Sequence, residues 1–340
     1  MRAIDDLLLG KDLTVSNSER LFRQFFNLES GLVQKQILVL LQKKGEHPNE
    51  LSGLVTAVRK IENHRFKLKL PDLTDGCGTG GDGKGTFNIS TLACLVAAGA
   101  GAHIAKHGNR SITSQCGSAD LLESLGVKID APPKRMLRAL KKCGIGYFHA
   151  PLYHPSFRRI QPLRMQLAKK RIKTIFNLAG PLLNPLEPKR QMIGVYRKDF
   201  VFVIAEALQK LKVKHALVFW NIGGFDELTT THKALLIELQ HGALRQKLFS
   251  PFSIGFKRGE GTDLNGGSAQ RNRQITLRLL SSNRQNSKLD SVVLNAGALL
   301  YVSGHAKSIQ EGIQRARTSI ESKAALQTLK QLARISHDPK

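Results

Sequence analysis

The chain has 340 residues and 41% of them are hydrophobic, so it can bury a substantial core, and a large domain with a smaller one is expected. Its formal net charge of +26 by itself favours a nucleic acid or another anionic partner, but the aromatic fraction of 6% argues against a base-stacking platform. No apolar run approaches the roughly 20 residues that a membrane-spanning helix needs, so we expect no membrane partner.

The cysteines and the N-terminal segment indicate the compartment. Cys77, Cys94, Cys116 and Cys143 form neither a C-x-x-C pair nor a disulfide framework. The first ten residues contain paired acids and an apolar run that is too short for a signal peptide. We therefore expect a cytoplasmic protein.

Residues 1–70 carry apolar residues at helical spacing, and they are expected to form a small all-helical domain. Ser16 and Glu19 form a capping-box pattern, and Pro48 predicts the start of another helix. A second helical block near residues 157–173 is expected to return and pack on these helices. That packing would place a cleft between the two domains.

In residues 71–340, short β-rich runs alternate with helical segments. The alternation predicts an α/β domain with a mainly parallel central sheet flanked by helices. Residues 216–220 are typical of a buried strand, whereas residues 259–285 contain few apolar side chains and are expected to form a loop-rich region. Ser308, with Glu311 three residues later, predicts the cap of a C-terminal helix.

The most informative segment is Asp-Gly-Cys-Gly-Thr-Gly-Gly-Asp-Gly at residues 75–83. Glycines let backbone N–H groups approach oxygen anions, and a helix that begins just after them adds its positive end. Ser90 and Thr91 occupy the expected N-cap positions of that helix, and a strand at 103–106 leads to polar residues at 107–110. This order predicts a parallel α/β phosphate site, although the spacing matches neither the dinucleotide nor the P-loop fingerprint.

Several blocks of the chain, in one order, resemble the anthranilate phosphoribosyltransferase family. They lie at residues 78–82, 88–91, 106–111, 117–123, 150–155, 174–185, 224–227 and 294–299. The resemblance implies a fold like that of nucleoside phosphorylases and phosphoribosyltransferases. It also implies an enzyme of tryptophan biosynthesis that transfers phosphoribosyl from phosphoribosyl pyrophosphate (PRPP) to anthranilate, giving N-(5-phosphoribosyl)anthranilate and pyrophosphate. A homodimer formed through the N-terminal helices is implied as well.

The residue types at these positions suit the chemistry that the resemblance implies. Backbone and polar side chains would bind PRPP, and the expected set is Gly78, Thr79, Gly80, Gly81, Asp82, Asn88, Ser90, Thr91, Lys106, Asn109, Ser114 and Ser118. The set expected to line the anthranilate pocket is Gly78, His107, Asn109, His154, Arg164, Gly180 and Pro181. In that pocket a guanidinium can pair with the substrate carboxylate.

Asp226 and Glu227 offer the oxygen ligands that Mg²⁺ prefers. The resemblance implies two Mg²⁺ ions bound with the diphosphate, with Ser90 contributing to the second ion. Asp82 could act on the ribose hydroxyls, act through the metal, or only stabilise a turn. The sequence offers no general acid or base, and His154 could equally be structural.

One segment departs from the family pattern, and two other functions stay open. After Arg164, residues 167–174 are about three residues longer than is usual in the family and contain no glycine. One alternative is an enzyme like pyrimidine nucleoside phosphorylase. The other is a catalytically inactive relative of the same fold that binds nucleic acid, which the net charge of +26 keeps open.

Overall fold

The structure, a computed structural model, describes residues 2–64, 66, 68, 70–111, 115–282 and 285–338. The first part of the chain is helical, as predicted. Its helices are α1 (Arg2–Leu8), α2 (Val15–Phe25), α3 (Gly31–Lys44) and α4 (Pro48–Glu62).

The helix caps in this part only partly follow the prediction. The N-cap of α2 is Thr14, whose hydroxyl accepts the Asn17 N–H at 3.2 Å, so the capping box predicted at Ser16 and Glu19 is wrong. Pro48 begins α4 as predicted. There the capping box is built by His47 and Glu50, because the Glu50 carboxylate accepts the His47 N–H at 3.0 Å.

A seven-stranded sheet follows, in the order β3-β2-β1-β4-β5-β6-β7. The strands are β1 (Thr74–Gly78), β2 (Ile104–Gly108), β3 (Ile145–His149), β4 (Arg190–Gly194), β5 (His215–Asn221), β6 (Ala234–Gln240) and β7 (Ala243–Phe249). Strands β1 to β5 are parallel, and β6 and β7 are antiparallel additions at one edge. The mainly parallel sheet expected from the sequence is thus confirmed.

Helices cover both faces of the sheet. They are α5 (Ile89–Gly99), α6 (Ser118–Ser124), α7 (Pro133–Cys143), α8 (Ala150–Tyr153), α9 (Ser156–Lys169), α10 (Ile175–Ala179), α11 (Asp199–Lys210), α12 (Ala269–Ser281), α13 (Ser287–Ser303), α14 (Ile309–Glu321) and α15 (Ala324–His337). Short 3₁₀ turns lie at Gly180–Leu182, Pro251–Ile254 and Gly261–Leu264. None of the helices in the described ranges is both long and apolar enough to cross a bilayer.

Two expectations about these helices are wrong. Asn88, not Ser90 or Thr91, precedes α5, so both hydroxyl residues lie in its first turn. The region 259–285 is not all loop, because α12 fills its second half. Ser268 caps α12 by accepting the Arg271 N–H at 3.3 Å. The Ser308 cap of α14 is confirmed, with the Glu311 N–H at 3.1 Å.

Two apolar cores lie on opposite faces of the sheet, because neighbouring side chains of a strand point to opposite faces. Leu217 of β5 joins the core formed with α5, α13 and α15, while Val218 joins the other core. That second core also contains side chains of α2, α3, α4 and α9, including Phe22, Leu38 and Leu163. The returning helix α9 therefore packs with the N-terminal helices, while the domain boundary near residue 70 stays a prediction.

The connections run in opposite directions on either side of β1. The chain goes from β1 to β2 and β3 on one side, then returns to β4 and β5 on the other. In a parallel sheet such a reversal opens a crevice at the carboxyl ends of the two adjacent strands, here β1 and β4.

Candidate active site

Two glycines line the floor of this crevice. Gly78 and Gly194 are the last residues of β1 and β4, they are register partners, and the Thr79 N–H donates to the Gly194 carbonyl at 2.9 Å. A methyl group on Gly78 would lie 2.7 Å from Cγ of Asp226, and one on Gly194 would overlap the Asp226 backbone. The glycine pair therefore makes the space that Asp226 occupies. Sequence reasoning missed Gly194, whose only signal is a glycine at the end of a strand.

The glycine loop after β1 turns with its backbone in the left-handed region. Gly80 and Gly81 have φ angles of +67° and +79°, which L side chains rarely adopt. The Gly80 N–H donates to Oδ2 of Asp226 at 2.7 Å. Within the described residues, the N–H groups of Gly81, Asp82 and Gly83 have no acceptor. They are available to an anionic ligand.

Three carboxylates meet above the glycine pair. Asp82, Asp226 and Glu227 can each present an oxygen such that all three oxygens lie within 4.8 Å of one another. Oδ2 of Asp82 is buried with no hydrogen-bond partner in the described residues, while its Oδ1 accepts the Lys84 N–H at 3.1 Å in a turn. The metal and turn roles left open for Asp82 are therefore compatible.

Burial and mutual repulsion disfavour ionisation of this cluster. Burial raises the pKa of Asp226 and of Glu227, and the Asp82 carboxylate raises both further. Asp226 adds to the increase in the pKa of Glu227. Three close oxygens, one of them unsatisfied, are the donor set that a hard divalent cation such as Mg²⁺ takes. Ser90 lies half-buried in the first turn of α5, and its part in a metal site stays a prediction.

Two asparagines, neither of them a predicted site residue, hold the acidic loop in place, that is, the segment after β5 that carries Asp226 and Glu227. The Asn295 side chain of α13 accepts the Leu228 N–H at 3.2 Å and donates to the Leu228 carbonyl at 2.6 Å. The Asn221 amide donates to the Thr229 hydroxyl at 2.9 Å. Asn295 belongs to the block at 294–299, so the sequence pattern marked its segment but not its role.

The polar residues expected to contact the diphosphate are less exposed than a ligand set would suggest. Lys106 is 2% exposed, and its ammonium donates to the Gly76 carbonyl at 3.0 Å beneath β1. Thr91 is buried, and its hydroxyl has no hydrogen-bond partner in the described residues. The Asn88 amide donates to the Cys116 carbonyl at 3.0 Å.

The residues after β2 form a separate polar group. The Asn109 carboxamide oxygen accepts the Arg110 N–H at 2.8 Å, and the Asn109 carbonyl accepts the Ser118 hydroxyl at 3.4 Å. Ser118 also contacts the Tyr147 hydroxyl at 3.2 Å. Ser114, which was expected to bind PRPP, lies outside the described residues.

Three of the residues expected to line the anthranilate pocket, His107, His154 and Arg164, are linked by contacts with aromatic rings. The ring centroids of His107 and His154 are 5.3 Å apart, and those of His154 and Phe157 are 5.8 Å apart. The Arg164 guanidinium lies over Phe157 and Phe176, at 5.6 and 6.0 Å from the ring centroids. Arg164 makes no ion pair or hydrogen bond with any residue that the structure describes. With no partner among the described residues, this half-buried guanidinium above two aromatic rings has N–H donors available in the geometry that matches a planar carboxylate.

The two histidines are neutral at physiological pH. Burial lowers the pKa of His154 to about 4 and takes the pKa of His107 well below its ordinary value. Space is open at Gly180, because a methyl group there would meet nothing within 4 Å. Pro181 is buried next to it. The predicted anthranilate pocket would therefore gain no charge from these four residues.

Comparisons with known proteins agree with this geometry. Residues 70–326 match the model described as glycosyl transferase family, a/b domain. The chain is 42% identical over 331 residues to an anthranilate phosphoribosyltransferase of Rubrobacter xylanophilus, covering 96% of this chain and 94% of that protein. The crystal structure of anthranilate phosphoribosyltransferase from Thermus thermophilus matches with a TM-score of 0.91 and 35% identity, over 99% of this chain and 100% of that one.

The Saccharomyces cerevisiae enzyme in complex with PRPP and Mg matches with a TM-score of 0.86 over 98% of this chain and 96% of that one. At 24% identity, this likeness shows the fold alone. The family model and the bacterial relatives show family membership as well. The model matches most of the chain, and the bacterial relatives are 35–42% identical to it. The chain therefore belongs to the anthranilate phosphoribosyltransferase family.

Proposed function

We propose that the protein transfers the phosphoribosyl group of PRPP to the amino group of anthranilate, releasing pyrophosphate, in tryptophan biosynthesis. The observation that carries the proposal is that a glycine loop with a carboxylate cluster follows β1, while ring contacts lead from His107 in the neighbouring strand β2 to the Arg164 guanidinium. Family membership supports the same reaction. Retention of both halves of the site disfavours a nucleic-acid-binding relative that has lost catalysis.

The diphosphate end of PRPP is assigned to the glycine loop. The N–H groups of Gly81, Asp82 and Gly83, which have no acceptor among the described residues, would donate to phosphate oxygens, and Ser90 and Ser118 would add hydroxyls. Mg²⁺, when bound, supplies positive charge that stabilises the departing diphosphate. Asp82, Asp226 and Glu227 are the residues that would hold it, with Ser90 contributing to a second ion.

The acceptor end is assigned to Arg164. Its guanidinium would pair with the anthranilate carboxylate, while His107, His154, Gly180 and Pro181 shape the pocket. Asn109 would stand between the two substrates. The aromatic amine of anthranilate is already neutral at pH 7, so the reaction needs no strong general base. The protein would therefore act mainly by positioning the reactants and by stabilising developing charge.

The test is the loss of anthranilate fluorescence on addition of PRPP and Mg²⁺. We expect turnover by the wild type and a KM for anthranilate raised about 10- to 150-fold in Arg164→Ala, since a charged hydrogen-bonded pair contributes about 1.5–3 kcal/mol. Arg158→Ala is the matched control, because Arg158 is an exposed arginine of the same helix. Folded wild-type protein without turnover would overturn the proposal.

We also propose a homodimer formed through the N-terminal helices. Leu8, Leu9 and Leu32 are 65–69% exposed on or beside α1 and α3, an apolar surface that a second copy could cover. Sedimentation equilibrium of the wild type and of Leu9→Lys tests this, with a monomeric wild type as the contrary result. We place the reaction in the cytoplasm, in keeping with the unbridged thiols of Cys77, Cys94 and Cys143.

A further inference from the structure

The segment that follows α9 ends that helix in an unusual way. The Arg171 N–H donates to the Ala168 carbonyl at 2.9 Å and the Ile172 N–H to the Leu167 carbonyl at 3.0 Å. These two bonds form a Schellman motif, in which the left-handed residue is usually glycine. Here it is Arg171, with φ of +57°. The motif reverses the chain, packs Ile172 against the apolar core and directs the next residue, Lys173, towards the glycine loop.

Lys173 contacts two groups that belong to different parts of the fold. Its ammonium donates to the Gly81 carbonyl at 2.9 Å and lies 3.4 Å from the ring centroid of Tyr196. The Tyr196 ring is itself held edge-on by Phe200 of α11, at 5.4 Å between centroids. Lys173 thus joins the glycine loop to a rigid aromatic support through a charged hydrogen bond and a cation–π contact.

The hydrogen bond determines the orientation of one peptide group. In a trans peptide the C=O and the following N–H point in opposite directions. With the Gly81 carbonyl held towards Lys173, the N–H of Asp82 points away from it. Gly81 has no side chain to restrict its rotation, so Lys173 is the contact that selects this orientation. Asp82 and Asp226 also lie within electrostatic range of the ammonium.

We propose that Lys173 is a positioning residue that orients the Gly81–Asp82 peptide for the diphosphate of PRPP. The inference rests on the proposed function, and it names a residue outside the ligand sets assigned above. Removing the ammonium frees the peptide to rotate, which costs the ligand a preoriented donor. Because Lys173 is exposed to solvent, we expect an effect at the lower end of the range for charged hydrogen bonds, about 10-fold.

The test compares calorimetric binding of PRPP in Mg²⁺ by the wild type, Lys173→Met, Lys173→Arg and Lys169→Met. We expect the dissociation constant to rise about 10-fold in Lys173→Met and to stay near the wild-type value in Lys173→Arg, which can donate to the same carbonyl and stack on the same ring. Lys169→Met is the matched control, since it removes an equal charge from an exposed lysine of the same segment. In steady-state assays the KM for PRPP should rise while the KM for anthranilate stays constant.

A second comparison tests the aromatic support of Lys173. The dissociation constant for PRPP should rise in Tyr196→Leu and should stay near the wild-type value in Tyr196→Phe, because phenylalanine keeps the ring. The proposal is overturned if Lys173→Met binds PRPP like the wild type, if Lys169→Met weakens binding equally, or if arginine fails to restore it. A wild type that binds no PRPP contradicts the proposed function instead.

Discussion

Gly78→Ala is the change that most directly tests the packing of Asp226 on the glycine pair. The added methyl would lie 2.7 Å from Cγ of Asp226, whereas ordinary contacts are 3.4–4 Å. Neither partner can yield easily, because β1 is paired in register with β4, and the Asp226 backbone lies against Gly194 on the other side. We expect the carboxylate to move by about 1 Å, a displacement that can cost about 100-fold in rate.

The same movement would break the hydrogen bond from the Gly80 N–H to Asp226, which measures 2.7 Å. A charged bond of this kind contributes about 1.5–3 kcal/mol, or about 10- to 150-fold in affinity. The two figures describe one event and are not added. We therefore expect kcat/KM to fall about 100-fold and the Mg²⁺ concentration for half-maximal rate to rise at least about 10-fold.

The assay is the initial rate of anthranilate fluorescence loss across a Mg²⁺ titration, with thermal unfolding measured beside it. Gly31→Ala is the matched control, because a methyl at that first residue of α3 meets nothing within 4 Å. It should leave both rate and Mg²⁺ dependence unchanged. Wild-type turnover and Mg²⁺ dependence in Gly78→Ala would show that the position of the Asp226 carboxylate does not matter.

Three further changes test the electrostatics and the backbone. Asp226→Asn with Glu227→Gln should abolish most turnover yet leave the melting temperature at pH 8 unchanged or higher. The pKa values of both carboxyl groups are raised in the folded protein, so their ionisation lowers its stability as pH rises. A clearly lower melting temperature of the double variant would contradict this. The pKa of Glu238 is lowered from 4.5 to about 2, first by its hydrogen bond with His215, so its stabilisation is present above about pH 4.5 and is lost as pH falls towards 2. In urea unfolding between pH 3 and 6, the free energy of unfolding of Glu238→Gln should therefore decrease less with falling pH than that of the wild type. An equal decrease in both proteins would show that Glu238 does not contribute this stabilisation. Arg171→Gly should raise the free energy of unfolding by about 0.5–1 kcal/mol, because the substitution removes the cost of a side chain in the left-handed region and adds the smaller entropy cost of glycine. A lower free energy of unfolding in chemical denaturation would contradict the Schellman assignment.

The sequence predicted several features that depend on neighbours along the chain. Pro48 marks the start of α4, the apolar run at 216–220 lies within β5, and Ser308 caps α14. Such features follow from local backbone geometry and side-chain spacing, which a short segment contains in full. The same local reading erred at Thr14, because several hydroxyl residues near a helix start can serve as cap and packing decides between them.

For some candidate residues, the sequence indicated the chemical role but not the position in space. The glycine loop and the acidic pair could be named from residue type, since only certain side chains bind a polyanion or Mg²⁺. Their distances could not be known: Asp82 and Glu227 are far apart in the chain and meet only because β1 and β5 end at the same sheet edge. The sequence also did not reveal which polar residues are buried. Lys106, for example, is buried beneath β1, where its ammonium donates to the Gly76 carbonyl.

The sequence by itself determined that this chain is an α/β protein, and it predicted a phosphate site at the glycine loop, a metal site at the carboxylate pair and a carboxylate partner in Arg164. Only the tertiary structure decided that Gly194 stands opposite Gly78, that Asn295 holds the acidic loop and that Lys173 reaches the Gly81 carbonyl. These three depend on strand register and helix packing between segments that are distant in sequence. No local pattern encodes such contacts, because each side chain could have met many partners until the whole core was assembled.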